Sequence, residues 1–278
     1  MNESVITLIL NDGNPTGIIE CNVDEWFGIS YKIPRNRLKE LSKLKCVNNT
    51  GVYILFGKDE DTSDDIAYIG EAEDIYNRLQ QHNQKKDFWN ECIVFMSENN
   101  SLNKAHIKYI EHELFHLAKD TKRFIVQNDK NPTKSSLGSA DVIRANKFIE
   151  KVRLITSIFG YRLFDSKITK EELNNNENIL YINNNGVQYA KGMLTNEGFV
   201  ILKESRIKEG ISDSISKSLL NYCIKERSSS DVVEGVFIND HLCSSPSMAG
   251  VIILGRNSNG YSEWKNKDGK SLNEIVKR

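Results

Sequence analysis

The residues with the clearest chemical potential lie between positions 51 and 128 of this 278-residue chain. They comprise two phenols, a guanidinium, an imidazole, a carboxylate and an amide: Tyr53, Tyr68, Arg78, His82, Glu111 and Asn128. Hydrolysis of a phosphodiester needs a nucleophilic water, positive charge at the phosphate and help for the leaving oxygen. The set offers a group for each of these tasks, so this is the chemistry that it suits best.

Glu111 is the candidate metal ligand. Mg²⁺ is commonly held through one or two carboxylates, with phosphate and waters completing its shell. The apolar spacing predicts a helix over residues 102–119, whose buried face comprises Ile107, Ile110, Leu114 and Leu117. Glu111 falls at the edge of that face, where it can point into a cleft beside a sheet. A glutamate taken alone is more often solvated, so this interpretation depends on the other residues of the set.

Arg78 and His82 are the candidate phosphate-binding residues. A helix is predicted over residues 72–83, and the i, i+4 spacing places both side chains on one face of it. Arginine suits a phosphate because its planar charged fork can bind two oxygens. His82 can bind phosphate or transfer a proton. The alternative is a surface arginine and a helix-terminal histidine without function.

The two tyrosines lie on predicted strands, residues 52–56 and 66–69. Alone they would be ordinary strand aromatics, but the adjacent Gly51 and Gly70 permit close backbone approach. The segments that follow alternate between strand and helix patterns, at residues 92–96, 102–119, 124–127 and 141–159. The pattern predicts an α/β (α+β) fold, with a small mixed β-sheet flanked by helices.

Around this central region the chain divides into further segments. The pattern over residues 1–48 predicts an N-terminal extension. It consists of a hairpin of strands 4–10 and 17–23, followed by a short helix in which Leu38, Leu41 and Leu44 are three residues apart. Residues 49–165 form the central domain, and the asparagine-rich residues 166–185 read as a linker. Residues 186–278 predict a smaller α+β domain, with strands at 187–194 and 198–202 and a helix at 211–225.

Composition limits the classes of protein to consider. No run of 18 apolar residues and no signal-peptide pattern occurs, so a cytoplasmic protein without membrane contact is expected. Five scattered cysteines without a CxxC pair argue against a disulfide framework and a cysteine zinc site. The net charge of −1 argues against tight nonspecific binding to nucleic acid, but not against nuclease chemistry.

A competing motif lies next to Glu111. Residues 112–116 read His-Glu-Leu-Phe-His and match H-E-x-x-H, the zinc metallopeptidase helix. A catalytic zinc needs three protein ligands, and the distant Glu150 is the one conceivable third. We therefore retain zinc peptidase activity as a remote alternative to incidental surface histidines.

The order and spacing of the central residues resemble those of GIY-YIG endonucleases, through Gly51-Val52-Tyr53 and Tyr68-Ile69-Gly70. The resemblance extends over about residues 50–130. In that family two tyrosines on adjacent strands help to activate and orient water, an arginine follows on the next helix, and a later glutamate binds one Mg²⁺ or Mn²⁺. It implies these roles for Tyr53, Tyr68, Arg78 and Glu111. His82 takes the variable place one turn after the arginine, and Asn128 the place of the final asparagine.

Residues from about 185 to 278 resemble a domain of unknown function that accompanies GIY-YIG modules and restriction-associated proteins. The matching segments include Ser244–Ala249, residues 255–260 and residues 264–272. Arg256 and Lys265 are candidate DNA contacts in these segments. The alternative is a helix start at Ser245 and Pro246, followed by a turn-rich hairpin with a core tryptophan.

These observations predict a metal-dependent endonuclease that cleaves DNA, and the family resemblance suggests a role in restriction or phage defence. A nucleic-acid-binding module that has the fold but no catalytic activity is the main alternative. The complete set of six residues argues against it, because a binding module has no chemical need for Glu111 together with both tyrosines. The sequence leaves open the strandedness of the substrate, DNA versus RNA, and whether the chain forms a homo-oligomer or binds a partner protein.

Overall fold

The computed structural model describes residues 3–99, 101–169, 172, 178–184 and 186–276. The chain forms two compact units, Met1–Asp165 and Ser166–Arg278. Among the helices in the described part of the chain, none combines the length and apolarity needed to cross a bilayer. The two units are described in turn.

The first unit is built on a mixed sheet, as predicted. Its strands are β1 (Ile6–Leu10), β2 (Ile19–Val23), β3 (Gly28–Pro34), β4 (Gly51–Lys58), β5 (Asp65–Ala72), β6 (Trp89–Ser97) and β7 (Ile125–Val126). They lie in the order β1-β2-β3-β6-β4-β5-β7. The pairing of β5 with β7 is parallel, and the other pairings are antiparallel. The tyrosine-bearing strands β4 and β5 are therefore direct neighbours.

Helices cover both faces of this sheet. They are a 3₁₀ helix (Arg35–Lys43), α1 (Ile75–Lys85), α2 (Lys104–Thr121) and α3 (Ser139–Ile158). Along β4, Val52, Ile54 and Phe56 pack into a core with α2 and α3. Tyr53 and Leu55 pack into a second core with the 3₁₀ helix and α1. Because both faces are covered, β4 is a continuous buried run up to Lys58.

The N-terminal segment differs in two ways from its prediction. A third strand, β3, follows the expected hairpin and pairs with β6 over seven residues, from Gly28 to Pro34. Residues 1–48 thus continue the same sheet. The expected amphipathic helix is a 3₁₀ helix, and the three-residue spacing of Leu38 and Leu41 matches its period of three residues per turn.

The second unit has its own four-stranded antiparallel sheet. Its strands are β8 (Leu180–Asn184), β9 (Val187–Thr195), β10 (Gly198–Ile201) and β13 (His241–Cys243), in the order β13-β10-β9-β8. A small hairpin is formed by β11 (Val232–Val233) and β12 (Val236–Phe237). The helices are α4 (Lys217–Arg227), α5 (Pro246–Leu254), α6 (Gly260–Glu263) and α7 (Leu272–Val276).

The stretch predicted as a linker contains the first strand of the second unit. Leu180 and Ile182 of β8 are buried in that unit's core, although the asparagines beside them favoured a loop prediction. Residues 174–176 and 185, part of the same prediction, lie outside the described residues.

The predicted helix start at Ser245 and Pro246 is present. The Ser245 hydroxyl accepts a hydrogen bond from Met248 N–H at 3.2 Å, and Pro246 is the first residue of α5. The indole of the fully buried Trp264 donates to the Pro246 carbonyl oxygen at 3.0 Å. These segments therefore have a structural role in the core of the second unit.

Gly51, at the start of β4, lies against the neighbouring strand. A Cβ atom there would be 2.3 Å from the Phe95 carbonyl oxygen, whereas a Cβ atom at Gly138, in ordinary extended backbone, would meet nothing within 4 Å. We expect Gly51→Ala to lower the free energy of unfolding by about 1–3 kcal/mol and Gly138→Ala to leave it nearly unchanged. Urea denaturation followed by circular dichroism measures both, and equal stabilities would contradict the packing described here.

Candidate active site

Tyr53 and Gly70 face each other across β4 and β5. The tyrosine ring lies over the glycine, because a Cβ atom at Gly70 would be only 2.3 Å from the Tyr53 hydroxyl oxygen. Any other residue at position 70 would displace the ring. Gly70 therefore fixes the position of the Tyr53 hydroxyl.

Arg78 and His82 meet that hydroxyl from helix α1. The helix begins after Asp74, whose carboxylate accepts a hydrogen bond from Asn77 N–H at 2.9 Å. The Tyr53 hydroxyl oxygen is 2.7 Å from His82 Nε2 and 3.3 Å from Arg78 Nε. The shared helix face predicted from the sequence is confirmed by these distances.

The hydrogen-bond donors of this cluster depend on the guanidinium of Arg78 and on the tautomer of His82. An arginine can only donate, so Arg78 Nε–H donates to the Tyr53 oxygen. With the imidazole proton on Nδ1, the Tyr53 O–H donates to His82 Nε2. The pair is arranged for proton transfer from the phenol to the imidazole.

Tyr68 forms the other wall of this cluster. Its ring stacks on that of Tyr53 with a centroid separation of 6.3 Å and lies 5.1 Å from the ring of His82. The Lys86 ammonium is 4.6 Å from the Tyr68 ring centroid and pairs with Asp129 at 3.2 Å. Burial raises the pKa of both tyrosines, so each phenol keeps its proton at neutral pH.

His82 differs from its predicted role in one respect. Its side chain is buried, and burial together with the charges of Arg78 and Lys86 lowers the pKa of His82 to about 4. The imidazole is therefore neutral at neutral pH and supplies no positive charge to a phosphate. The i, i+4 spacing identified the residue, but its charge depends on burial, which the spacing does not report.

Glu111 lies on α2, which begins at a capping box formed by Asn103 and His106. Burial, and secondarily the nearby Glu71 carboxylate, raise the pKa of Glu111 to about 7. Within the described residues, the Glu111 carboxylate has no hydrogen-bond or ion-pair partner. Glu71 itself pairs with Lys104 at 2.8 Å.

The Glu111 carboxylate is a suitable ligand for a divalent cation. Mg²⁺ and Mn²⁺ take oxygen ligands, and Glu111 offers a half-buried carboxylate that makes no hydrogen bond or ion pair with the described residues. Among the described residues, no group of three or more histidine, cysteine, aspartate or glutamate side chains could hold a metal. The arrangement fits a cation held through one carboxylate, phosphate and water.

The structure gives Asn128 a positioning role. Its side-chain oxygen accepts a hydrogen bond from Ile69 N–H at 3.1 Å, and its amide donates to the Ile69 carbonyl at 2.6 Å. These bonds continue the pairing of β5 beyond the two residues of β7. Asn128 thus holds the strand segment between Tyr68 and Gly70 through both polar atoms of its side chain.

Arg256 and Lys265 belong to the second unit. The Arg256 guanidinium pairs with Glu263 at 2.7 Å. The Lys265 backbone pairs with Tyr181, and its side chain is exposed. The cluster around Tyr53 belongs to the first unit.

The competing H-E-x-x-H residues make local contacts instead. His112 Nδ1 is 3.1 Å from Glu113, and Glu113 pairs with Lys134 at 2.7 Å. The rings of His112 and His116 are 4.4 Å apart. Since no third ligand joins them among the described residues, the structure lends no support to a zinc site.

Three charged residues of this region were not selected from the sequence: Glu71, Lys86 and Lys104. Strand alternation could have indicated Glu71, because it follows Gly70 and so faces α2, the side opposite to Tyr53. Lys86 and Lys104 carry no comparable sequence signal, since each is placed by the tertiary fold.

Comparison with protein families identifies two domains. Residues 49–123 match the model of the GIY-YIG catalytic domain, and residues 180–276 match a domain of unknown function (DUF4357). Asn128 lies just beyond the first match. Searches of curated proteins and of solved structures found no significant match.

The raised pKa of Glu111 opposes folding at alkaline pH. Its pKa rises from 4.5 to about 7 on folding, so stability decreases as pH rises through this interval. Glu111→Gln lacks this penalty. We therefore expect its free energy of unfolding at pH 8 without metal to be about 1–2 kcal/mol higher than that of wild type.

That difference should vanish below about pH 4.5, where the carboxyl is protonated in both states. Urea denaturation at several pH values measures it. Glu150→Gln, at an exposed position on α3, is the matched control and should show no change. A Glu111→Gln variant less stable than wild type at pH 8 would contradict the assignment.

Proposed function

Because the chain contains a GIY-YIG catalytic domain followed by a DUF4357 domain, we propose that it is a metal-dependent endonuclease that hydrolyses phosphodiester bonds in DNA. The GIY-YIG catalytic domain is a nuclease domain. The observation that supports activity in this chain is the hydrogen bond between Tyr53 and His82, at 2.7 Å, beside Arg78.

In this proposal Tyr53 and His82 handle the proton of the nucleophilic water. The Tyr53 oxygen accepts a proton from water as the water oxygen attacks phosphorus, and the phenol proton passes to His82 Nε2. The low pKa of His82, about 4, keeps the imidazole neutral beforehand, so that with its proton on Nδ1 it can accept another at Nε2. Tyr68, stacked on Tyr53, orients the water.

Arg78 binds the scissile phosphate. Its guanidinium stays charged, and its planar fork suits two phosphate oxygens. Lys104 and Lys108 add positive charge nearby, since both oppose the rise in the pKa of Glu111. These cations lie among the carboxylates Glu71 and Glu111, and Lys104 also pairs with Glu71; the whole chain carries a net charge of −1.

Glu111 would hold Mg²⁺ or Mn²⁺, which GIY-YIG nucleases generally use. A bound cation would neutralise charge at the phosphate and at the leaving oxygen. The single unpartnered carboxylate supports this assignment, because phosphate oxygens and water then complete the coordination.

The second unit would position the substrate. Lys265 is the stronger candidate contact because its side chain is exposed, whereas Arg256 pairs with Glu263. The resemblance of this unit to a domain found in restriction-associated proteins suggests that the activity serves restriction or defence against foreign DNA.

Cleavage of a labelled DNA duplex and of a labelled single strand tests this proposal. With Mg²⁺ or Mn²⁺ present, we expect Tyr53→Phe to reduce the rate by about 10²–10⁴-fold, because the proton acceptor is lost. Glu111→Gln should reduce it by about 10³-fold or more, because several kcal/mol of charge stabilisation are lost.

Tyr76→Phe is the matched control. It removes a phenol from the same core, at a side chain that makes no described hydrogen bond, and should cleave at the wild-type rate. Cutting that survives Glu111→Gln would contradict the proposal. Binding of DNA without cutting by wild type would favour the alternative of a noncatalytic binding module.

The dependence on pH and metal follows from Glu111. At limiting Mg²⁺, the cleavage rate should rise with pH up to about 7 and then level off, since the carboxyl must lose its proton to bind the cation. Raising the Mg²⁺ concentration should move this inflection to lower pH, and a chelator should abolish cleavage. An inflection independent of Mg²⁺ would show that another group controls the profile.

A further inference from the structure

A cavity of about 610 Å³ lies between the 3₁₀ helix, α1 and the start of β6. This volume falls in the range of ligand-binding pockets. Its lining contains no acidic side chain and comprises Arg35, Asn36, Leu38, Lys39, Gln80, Asn83 and Asn90. We refer to it as the amide pocket.

Arg35 makes one wall of the amide pocket rigid. Its Nε donates to the Asn83 side-chain oxygen at 2.9 Å, and its Nη1 donates to the Asp87 carbonyl at 2.9 Å. The guanidinium also lies 4.9 Å from the ring centroid of the buried Trp89. The pocket is therefore formed before any ligand arrives.

The remaining polar side chains of the pocket are not engaged with the protein. Within the described residues, the amides of Asn36, Gln80 and Asn90 make no side-chain hydrogen bond, and the exposed Lys39 ammonium makes no ion pair. Polar groups placed around a cavity are one feature of ligand-binding sites, and these side chains are free to contact a ligand.

These groups match the chemistry of a nucleotide. Amide side chains offer a donor and an acceptor side by side, which suits the edges of bases, and adenine in particular. A lysine suits a phosphate oxygen. The absence of carboxylates from the lining permits an anionic ligand.

The amide pocket shares a helix with the catalytic cluster. At about 100° per residue, Gln80 lies about 200° around α1 from Arg78. The two side chains are thus on opposite flanks of a helix about 10 Å wide. A DNA strand that crosses α1 would contact both.

We propose that the amide pocket holds a nucleotide of the substrate strand, across α1 from the phosphate bound by Arg78. Lys39 contacts the phosphate of this nucleotide, and Asn36 and Gln80 read the edge of its base. This inference rests on the proposed nuclease function and assigns to the N-terminal segment a part in substrate choice.

Fluorescence anisotropy with labelled 20-base-pair duplexes and 20-nucleotide single strands tests the contact. The full-length chain with Glu111→Gln serves as the background, so that no substrate is cut. We expect Lys39→Gln to weaken binding about fivefold to tenfold near 0.1 M salt and to reduce the salt slope by about 1. Lys147→Gln, the same charge change at an exposed position on α3, should do neither.

The base contact has a separate readout. The double variant Asn36→Ala, Gln80→Ala should keep the salt slope of its background and lose about tenfold or more of the preference among substrates that differ at single bases near the cut. Circular dichroism confirms that each variant is folded.

The possible outcomes separate this inference from the nuclease assignment. If wild type cleaves DNA and Lys39→Gln binds like Lys147→Gln, the amide pocket does not hold the substrate strand and the inference is overturned. A pocket for a free small molecule would give this result. If wild type neither binds nor cleaves any DNA, the proposed function fails and the inference fails with it.

Discussion

The contact between Tyr53 and Gly70 is the constraint on which the candidate site depends. Gly70 on β5 has no side chain, which leaves room for the Tyr53 phenol on β4. A Cβ atom at position 70 would be 2.3 Å from the Tyr53 hydroxyl oxygen. With the ring held there, the hydroxyl reaches both His82 and Arg78 on α1. Asn128 also fixes this part of β5, because its side chain hydrogen-bonds to the backbone of Ile69, next to Gly70. The sheet thus positions the hydroxyl before any substrate is bound.

Burial then sets the protonation states that the proposed chemistry needs. It keeps the tyrosines protonated, holds His82 neutral and raises the pKa of Glu111 to about 7. The site therefore has a neutral imidazole, His82, that can accept a proton, and a carboxylate, Glu111, that a bound cation would stabilise. A half-buried carboxylate without a partner destabilises the free protein, and metal binding would remove that penalty. Net charge is a poor guide to this arrangement, because the relevant charges lie within one cluster.

Much of this arrangement could be predicted from sequence, since it depends on local periodicity. The strand pattern indicated that Tyr53 and Tyr68 lie on strands, and the family resemblance implied that these strands are adjacent. The helix spacing indicated that Arg78 and His82 share a helix face. The charge of His82 could not be predicted, because it follows from burial by elements distant in sequence. The hydrogen bonds from the Asn128 side chain to the Ile69 backbone depend on long-range pairing, as does strand β3. Such pairing is not visible in the sequence pattern. The amide pocket joins residues from three elements, none of which forms a motif by itself.

The most direct test of the central claim is the cleavage rate of Gly70→Ala on a labelled DNA duplex with Mg²⁺. This variant keeps every proposed catalytic group and adds only a methyl where the Tyr53 ring lies. We predict that it loses cleavage to about the extent of Tyr53→Phe, under conditions where circular dichroism shows it folded. Cleavage by folded Gly70→Ala at the wild-type rate would contradict the claim that the position of the Tyr53 hydroxyl controls the reaction.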